Sequence, residues 1–188
     1  AEEDLSSPWE TAAESEWERV YYRQMRKLAD ILDGADPLDA LTTRTPPETE
    51  GLAALLFEEI AQEGEVIFVP FDRLADSAAR DLASRWGPLL GCTARVAALG
   101  EPLTHFTPDD LLIFLAGREV TEGFLLERLR QSAGPCLWVG PDIPRAAVRI
   151  FQRSMGCFRL KEEAAAFIET GVLYTAVSFL FLGAWRER

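Results

Sequence analysis

The sequence predicts an α/β fold, a three-layer helix–sheet–helix sandwich around a mainly parallel sheet of about five strands. Three observations predict it. Short apolar runs rich in β-branched and aromatic residues recur along the chain (EVIFVPF, ARVAAL, LLIFLA, CLWV, CFRL) and carry almost no charge, which suits strands buried on both faces. Most of these runs are separated by segments with helical apolar spacing, the alternation that builds parallel sheets. The chain has 188 residues, 48% of them hydrophobic and 27% charged, enough for one globular domain with a real core.

Residues 1 to about 14 are acidic and polar and read as a loose lead-in, with residues 15–188 as one domain. From Trp17 the apolar positions Trp17, Tyr21, Met25, Leu28 and Leu32 mark one helical face, ended by Gly34. The stretch ADPLDALTTRTPPETEG reads as a polar loop. Pro47 with Glu48 and Glu50 opens a second helix that carries Leu52, Leu55, Leu56 and Ile60. A strand follows at Val66 to Val69. Asp72 is placed to cap the next helix, through Leu74, Ala75, Ala78, Ala79, Leu82 and Trp86, with Gly87-Pro88 as its expected end. Strands are expected at Ala94–Leu99, Leu111–Ala116, Cys136–Val139 and Cys157–Leu160. Helices are expected at about Thr121–Ser132, from Pro144 to about Met155, and from about Lys161 to Trp185. Thr107-Pro108-Asp109-Asp110 reads as a turn into the third strand.

Charge and composition exclude several function classes. The formal net charge is -12 and no basic cluster is large enough to neutralise a phosphate backbone, so no nucleic-acid partner is expected. Cys92, Cys136 and Cys157 are odd in number, lack CxxC spacing and adjoin apolar stretches. They read as free thiols in a reducing, cytoplasmic setting, with no metal site and no cofactor. His105 is the only histidine. The opening AEEDLSSPWE has no cationic or apolar signal region. Thr170 to Trp185 is uncharged, but it is shorter than the roughly 20 apolar residues of a spanning helix. It reads as a core or dimer helix, with no membrane partner.

In open parallel sheets, ligands bind beyond the carboxyl ends of the strands near a topological switch point. The loop LAGREVTEG is the leading candidate. Gly117 allows close backbone approach or positive φ, Arg118 offers a fork of donors for an anion, and the Thr121 hydroxyl adds a hydrogen bond near the next helix. Glu119 and Glu122 flank it and oppose an anion. The alternative is a plain helix cap at Thr121. The loop after Val69 holds Pro70, Phe71, Asp72 and Asp76, and its aspartates take the helix-dipole position an anion would use. His105 with Glu101 is the candidate acid–base pair, against a loop histidine without a catalytic role. Asp142 in Gly140-Pro141-Asp142 fits either a hydroxylated ligand or ordinary turn chemistry.

The layout resembles a sugar isomerase (SIS) domain over about Trp17 to Trp185, most specifically in TPDDLLIFLAGREVTEGFLLERLRQSAGPCLWVG. Within the family it is most similar to a divergent bacterial group. The resemblance implies a flavodoxin-like sandwich of five parallel strands preceded by extra N-terminal helices. It also implies a phosphosugar ligand and a homodimer. Asp109-Asp110, the apolar strand, Gly117, Thr121 and Glu122 match the family pattern in kind. Leu115 and Ala116 stand where the family carries serines before its glycine, the Gly-to-Thr spacing is two residues longer, and the hydroxyl-rich loop after the first strand is missing. The expected function is binding of a phosphosugar or related anion at Gly117, Arg118, Thr121 and Glu122, without isomerase activity. The alternatives are a non-catalytic dimeric interaction or regulatory protein, and a sugar-phosphate isomerase using His105 or a carboxylate.

Overall fold

The structure is a computed structural model that describes residues 42–45, 64–161, 177, 178 and 181. The lead-in, the helices expected before residue 64 and most of the C-terminal helix fall outside these residues. Along the chain run β1 (Thr42–Thr45), β2 (Val66–Pro70), α1 (Arg73–Leu90), β3 (Ala94–Val96), a 3-10 turn (Leu103–His105) and β4 (Leu111–Leu115). They are followed by α2 (Glu122–Gln131), β5 (Cys136–Gly140), α3 (Arg145–Gln152) and β6 (Cys157–Leu160).

The strands form one sheet in the order β1-β6-β5-β4-β2-β3. The five strands from β2 to β6 are parallel to one another, with registers such as Val66↔Leu111 and Leu112↔Cys136. The chain moves outward from β2 to β3, returns to β4 on the other side of β2, and continues outward to β6. That is the flavodoxin-like order, with its switch point between β2 and β4.

Side chains alternate across the sheet as the pleat requires. Val66, Phe68, Leu111, Ile113, Leu115, Leu137 and Val139 face α1 and the buried Val177 and Phe181. Ile67, Val69, Leu112, Phe114, Cys136, Trp138 and Cys157 face α2 and α3 through Leu125, Leu129, Ala147 and Phe151. Both faces are covered, which explains why β2, β4 and β5 read as uninterrupted apolar runs. Val177 and Phe181, within the uncharged C-terminal stretch, belong to the core. The Phe181 ring packs 6.0 Å from Phe68 and 5.6 Å from Trp86, and Trp86 donates to the Ser178 hydroxyl at 3.1 Å. No helix among the described residues is long and apolar enough to cross a membrane.

Two expectations are corrected. The polar loop expected around residues 36–51 contains β1, which pairs antiparallel with β6 from Thr42↔Leu160 to Thr45↔Cys157, giving the sheet a sixth strand. Its sequence, TTRT, shows no apolar run because it lies at the sheet edge, with only Thr42 buried. Helix α1 also runs past Gly87-Pro88 to Leu90. Part of the clash that keeps a residue before proline out of the helical region comes from its Cβ, and Gly87 has none. The helix stops at Gly91, which adopts φ 69°. The Cys92 amide bonds the Gly87 carbonyl at 3.0 Å and the Gly91 amide bonds Pro88 at 3.3 Å, the pairing of a Schellman stop.

At the amino edge of the sheet, Asp110 organises the turn expected before β4. Its side chain accepts hydrogen bonds from the Glu65 amide at 2.8 Å, the Thr107 amide at 2.6 Å and the Thr107 hydroxyl at 3.0 Å. Burial works to raise the pKa of this carboxyl, but those hydrogen bonds and the nearby Arg95 charge outweigh it and hold the group below its ordinary value.

Candidate functional site

The site is built where β2 and β4 end side by side. The Phe71 amide bonds the Leu115 carbonyl at 2.9 Å, and the Ala116 amide bonds Val139 at 3.1 Å, so the three strand ends stay joined as they leave the sheet. Asp72 then turns the chain into α1. It is extended (φ -147°, ψ 172°), and its Oδ1 accepts the Ala75 amide at 2.8 Å, the N-cap bond expected from its position. Its Oδ2 reaches across the switch point to the loop after β4. There it accepts the Gly117 amide at 2.8 Å and the Arg118 amide at 3.2 Å.

Those amides form the kind of donor set that holds an anion at a strand–helix junction. In this chain its own carboxylate lies against them. Gly117 suits the close approach: a Cβ there would lie 3.3 Å from the Leu74 Cβ, a tight contact, and 3.4 Å from the Asp72 Oδ1. The positive-φ glycines among the described residues are Gly91, Gly100 and Gly156, so Gly117 works through small size and not through a left-handed backbone.

Beside Asp72 opens a cavity of about 530 Å³ lined by Asp72, Arg73, Leu74, Leu99 and Arg118. Arg73 and Arg118 are exposed side chains, and Leu99 is 49% exposed. Of the expected ligand-binding residues, the structure brings Gly117 and Arg118 together with Asp72. Thr121 is the N-cap of α2 and its carbonyl accepts the Leu125 amide at 3.1 Å, but its hydroxyl makes no cap bond. Thr121 and Glu122, in the first turn of α2, are exposed and neither lines the cavity.

Neither Glu101 nor His105 lines the cavity. The Glu101 carboxylate accepts the Ala98 amide at 2.8 Å and faces Arg95 at 3.6 Å, and its carbonyl accepts a hydrogen bond from the buried Arg128 guanidinium. The Leu103 amide reaches the Gln131 side chain at 3.5 Å, placing the 3-10 turn at the C-terminal end of α2. Because α2 leaves the carboxyl end of β4 and returns to the amino end of β5, this is the far edge from Gly117. His105 is exposed there and makes no hydrogen bond to Glu101 among the described residues.

Asp142 accepts the Ile143 amide at 3.2 Å and pairs with Arg159 at 2.9 Å, so its carboxylate is used at the ends of β5 and β6. Sequence reading missed Arg159, although one cation inside the apolar run CFRL was a signal. The three cysteines are free thiols, and Cys136 and Cys157 are buried. Burial pushes the Cys136 thiol up to about 11 and the Cys157 thiol up to about 12, far from a reactive thiolate. The described residues contain no group of His, Cys, Asp and Glu able to hold a metal ion.

No protein-family model matches the sequence, and no curated protein matches it. Among solved structures, the chain is similar to a Listeria monocytogenes protein described in its crystal structure as a "putative sugar-phosphate isomerase". The two share a TM-score of 0.60 and 13% sequence identity, over 93% of this chain and 93% of that one. The fold is SIS-like. At this identity the likeness is one of fold, and the SIS-like sandwich is what the two chains have in common.

Proposed function

We propose that the chain is a divergent SIS-like domain that binds a small organic anion, of the class that includes sugar phosphates, without isomerising it. The observation that carries this reading is the cavity of about 530 Å³ at the switch point, with Arg73 and Arg118 in its wall. Two arginines in the wall of one opening favour an anion such as a phosphate or carboxylate. Isomerisation also needs a group that moves a proton between neighbouring carbons. The expected acid–base candidates, His105 and Glu101, do not line the cavity. The carboxylate that does, Asp72, has both oxygens on backbone amides.

The test is a thermal melt against sugar phosphates, nucleotides and inorganic phosphate. A ligand present at about 100 times its Kd adds about 2.7 kcal/mol to the unfolding free energy, a rise of about 5–10 °C for a chain of this size. Arg118→Ala and Arg73→Ala should each reduce the rise. No shift across the panel refutes the binding. Deuterium incorporation at carbon from heavy water into a bound sugar phosphate, followed by NMR, would refute the absence of isomerisation.

A further inference from the structure

An anion held between Arg73 and Arg118 carries a body, and the remaining wall determines what that body can be. Besides the two arginines, the lining residues are Asp72, Leu74 and Leu99, and no hydroxyl or amide side chain joins them among the described residues. A carboxylate offers about four acceptor positions. Three on Asp72 are taken, by the amides of Ala75, Gly117 and Arg118. One position is left for a ligand donor. A polyhydroxylated body therefore finds one carboxylate position and the arginine N–H groups that the anion itself uses, so its hydroxyls gain little here over what water gives them.

The apolar part of the wall has the opposite preference. Leu99 is among the most exposed large hydrophobic residues of the described chain, at 49%. It is followed by Gly100, which adopts φ +83° and would have nothing within 4 Å of an added Cβ, so the loop leaves open space beside the leucine. An apolar group laid on Leu99 and Leu74 gains what a sugar cannot.

We propose that the cavity takes an organic anion, a phosphate or carboxylate, on an apolar or aromatic body bearing no more than one hydroxyl near the charge, in preference to a polyol phosphate. This rests on the anion-binding reading above and narrows its ligand class. Covering on the order of 60 Å² of apolar surface is worth about a factor of ten in affinity. That is the size of the preference to look for.

The experiment is titration calorimetry of the full chain with three probes: inorganic phosphate, phenyl phosphate and ribose 5-phosphate. Phenyl phosphate should bind about tenfold more tightly than inorganic phosphate, and ribose 5-phosphate within about threefold of it. Leu99→Ser should remove most of the gap between phenyl phosphate and inorganic phosphate, and Arg118→Ala should weaken all three. If ribose 5-phosphate binds more tightly than phenyl phosphate, the apolar-body proposal is overturned while anion binding stands. The same holds if Leu99→Ser leaves the gap intact. If none of the three probes binds, the anion-binding reading fails and takes this proposal with it.

Discussion

Replacing Asp72 with alanine tests the central junction of the fold. The substitution removes three acceptor contacts at once. The Ala75 amide loses its N-cap partner, which costs about 1 kcal/mol. The Gly117 amide, half-buried where the ends of β2 and β4 meet, is left without the carboxylate it bonds at 2.8 Å, adding about 1–2 kcal/mol. The Arg118 amide, bonded at 3.2 Å on an exposed residue, can turn to water and adds little. The expected loss is about 2–3 kcal/mol, read as a lower urea midpoint at unchanged slope. Asp72→Asn keeps one oxygen and should fall between alanine and wild type, because its amide group must face a backbone N–H. Amide exchange supplies a local readout: Gly117, 45 residues away in sequence, should exchange faster in Asp72→Ala. A loss below about 1 kcal/mol, with Gly117 exchange unchanged, would show that the carboxylate does not tie the two loops together.

Other expected outcomes follow from the same structure. Asp110→Ala should cost about 3 kcal/mol in urea unfolding, since two amides and a hydroxyl lose their acceptor. Because the folded pKa of Asp110 lies below its ordinary value, its contribution is full above about pH 4 and lost as pH falls through the folded value. Acid unfolding curves of Asp110→Asn should therefore lack part of the wild-type fall below that pH. Gly134→Ala would place a Cβ 2.2 Å from the Asp110 carbonyl oxygen and 3.1 Å from that of Thr107, both backbone atoms. It should cost about 3 kcal/mol, measurable in the same assay. A thiol reagent at about pH 8 should label the half-buried Cys92 first. Cys136 and Cys157, pushed up to about 11 and about 12, should react only after denaturant is added.

The sheet was legible because its strands are buried on both faces, and that burial writes itself as solid apolar runs such as VIFV and LLIFL. Strand β1 was not legible: TTRT sits at an edge, buries only Thr42, and takes its register from a strand more than a hundred residues away. The end of α1 was misplaced for a local reason. Gly87-Pro88 usually stops a helix, but Gly87 lacks the Cβ that makes part of the pre-proline clash, and the helix runs on to its stop at Gly91. At the site, the capping role of Asp72 was readable from sequence, since a cap bond spans three residues. Its bonds to Gly117 and Arg118 were not readable, because only the pairing of β2 with β4 brings those loops together. His105 and Glu101 are close in sequence and looked like a pair, but proximity along a loop fixed neither their contact nor a place in the cavity wall.

The same geometry explains how this crevice can keep its architecture while changing its chemistry. In a strand–turn–helix junction the free amides attract an anion, and a ligand phosphate is one way to supply it. Here Asp72 supplies it from within the chain, so three backbone donors are already used to hold α1 and the loop after β4 in place. What remains for the proposed ligand is the side-chain wall of Arg73, Arg118, Leu74 and Leu99, with one spare position on the Asp72 carboxylate. On the proposed reading, this crevice recognises a ligand without transforming it. Arg118 should therefore govern affinity, and Asp72, placed in the same wall, should govern mainly stability.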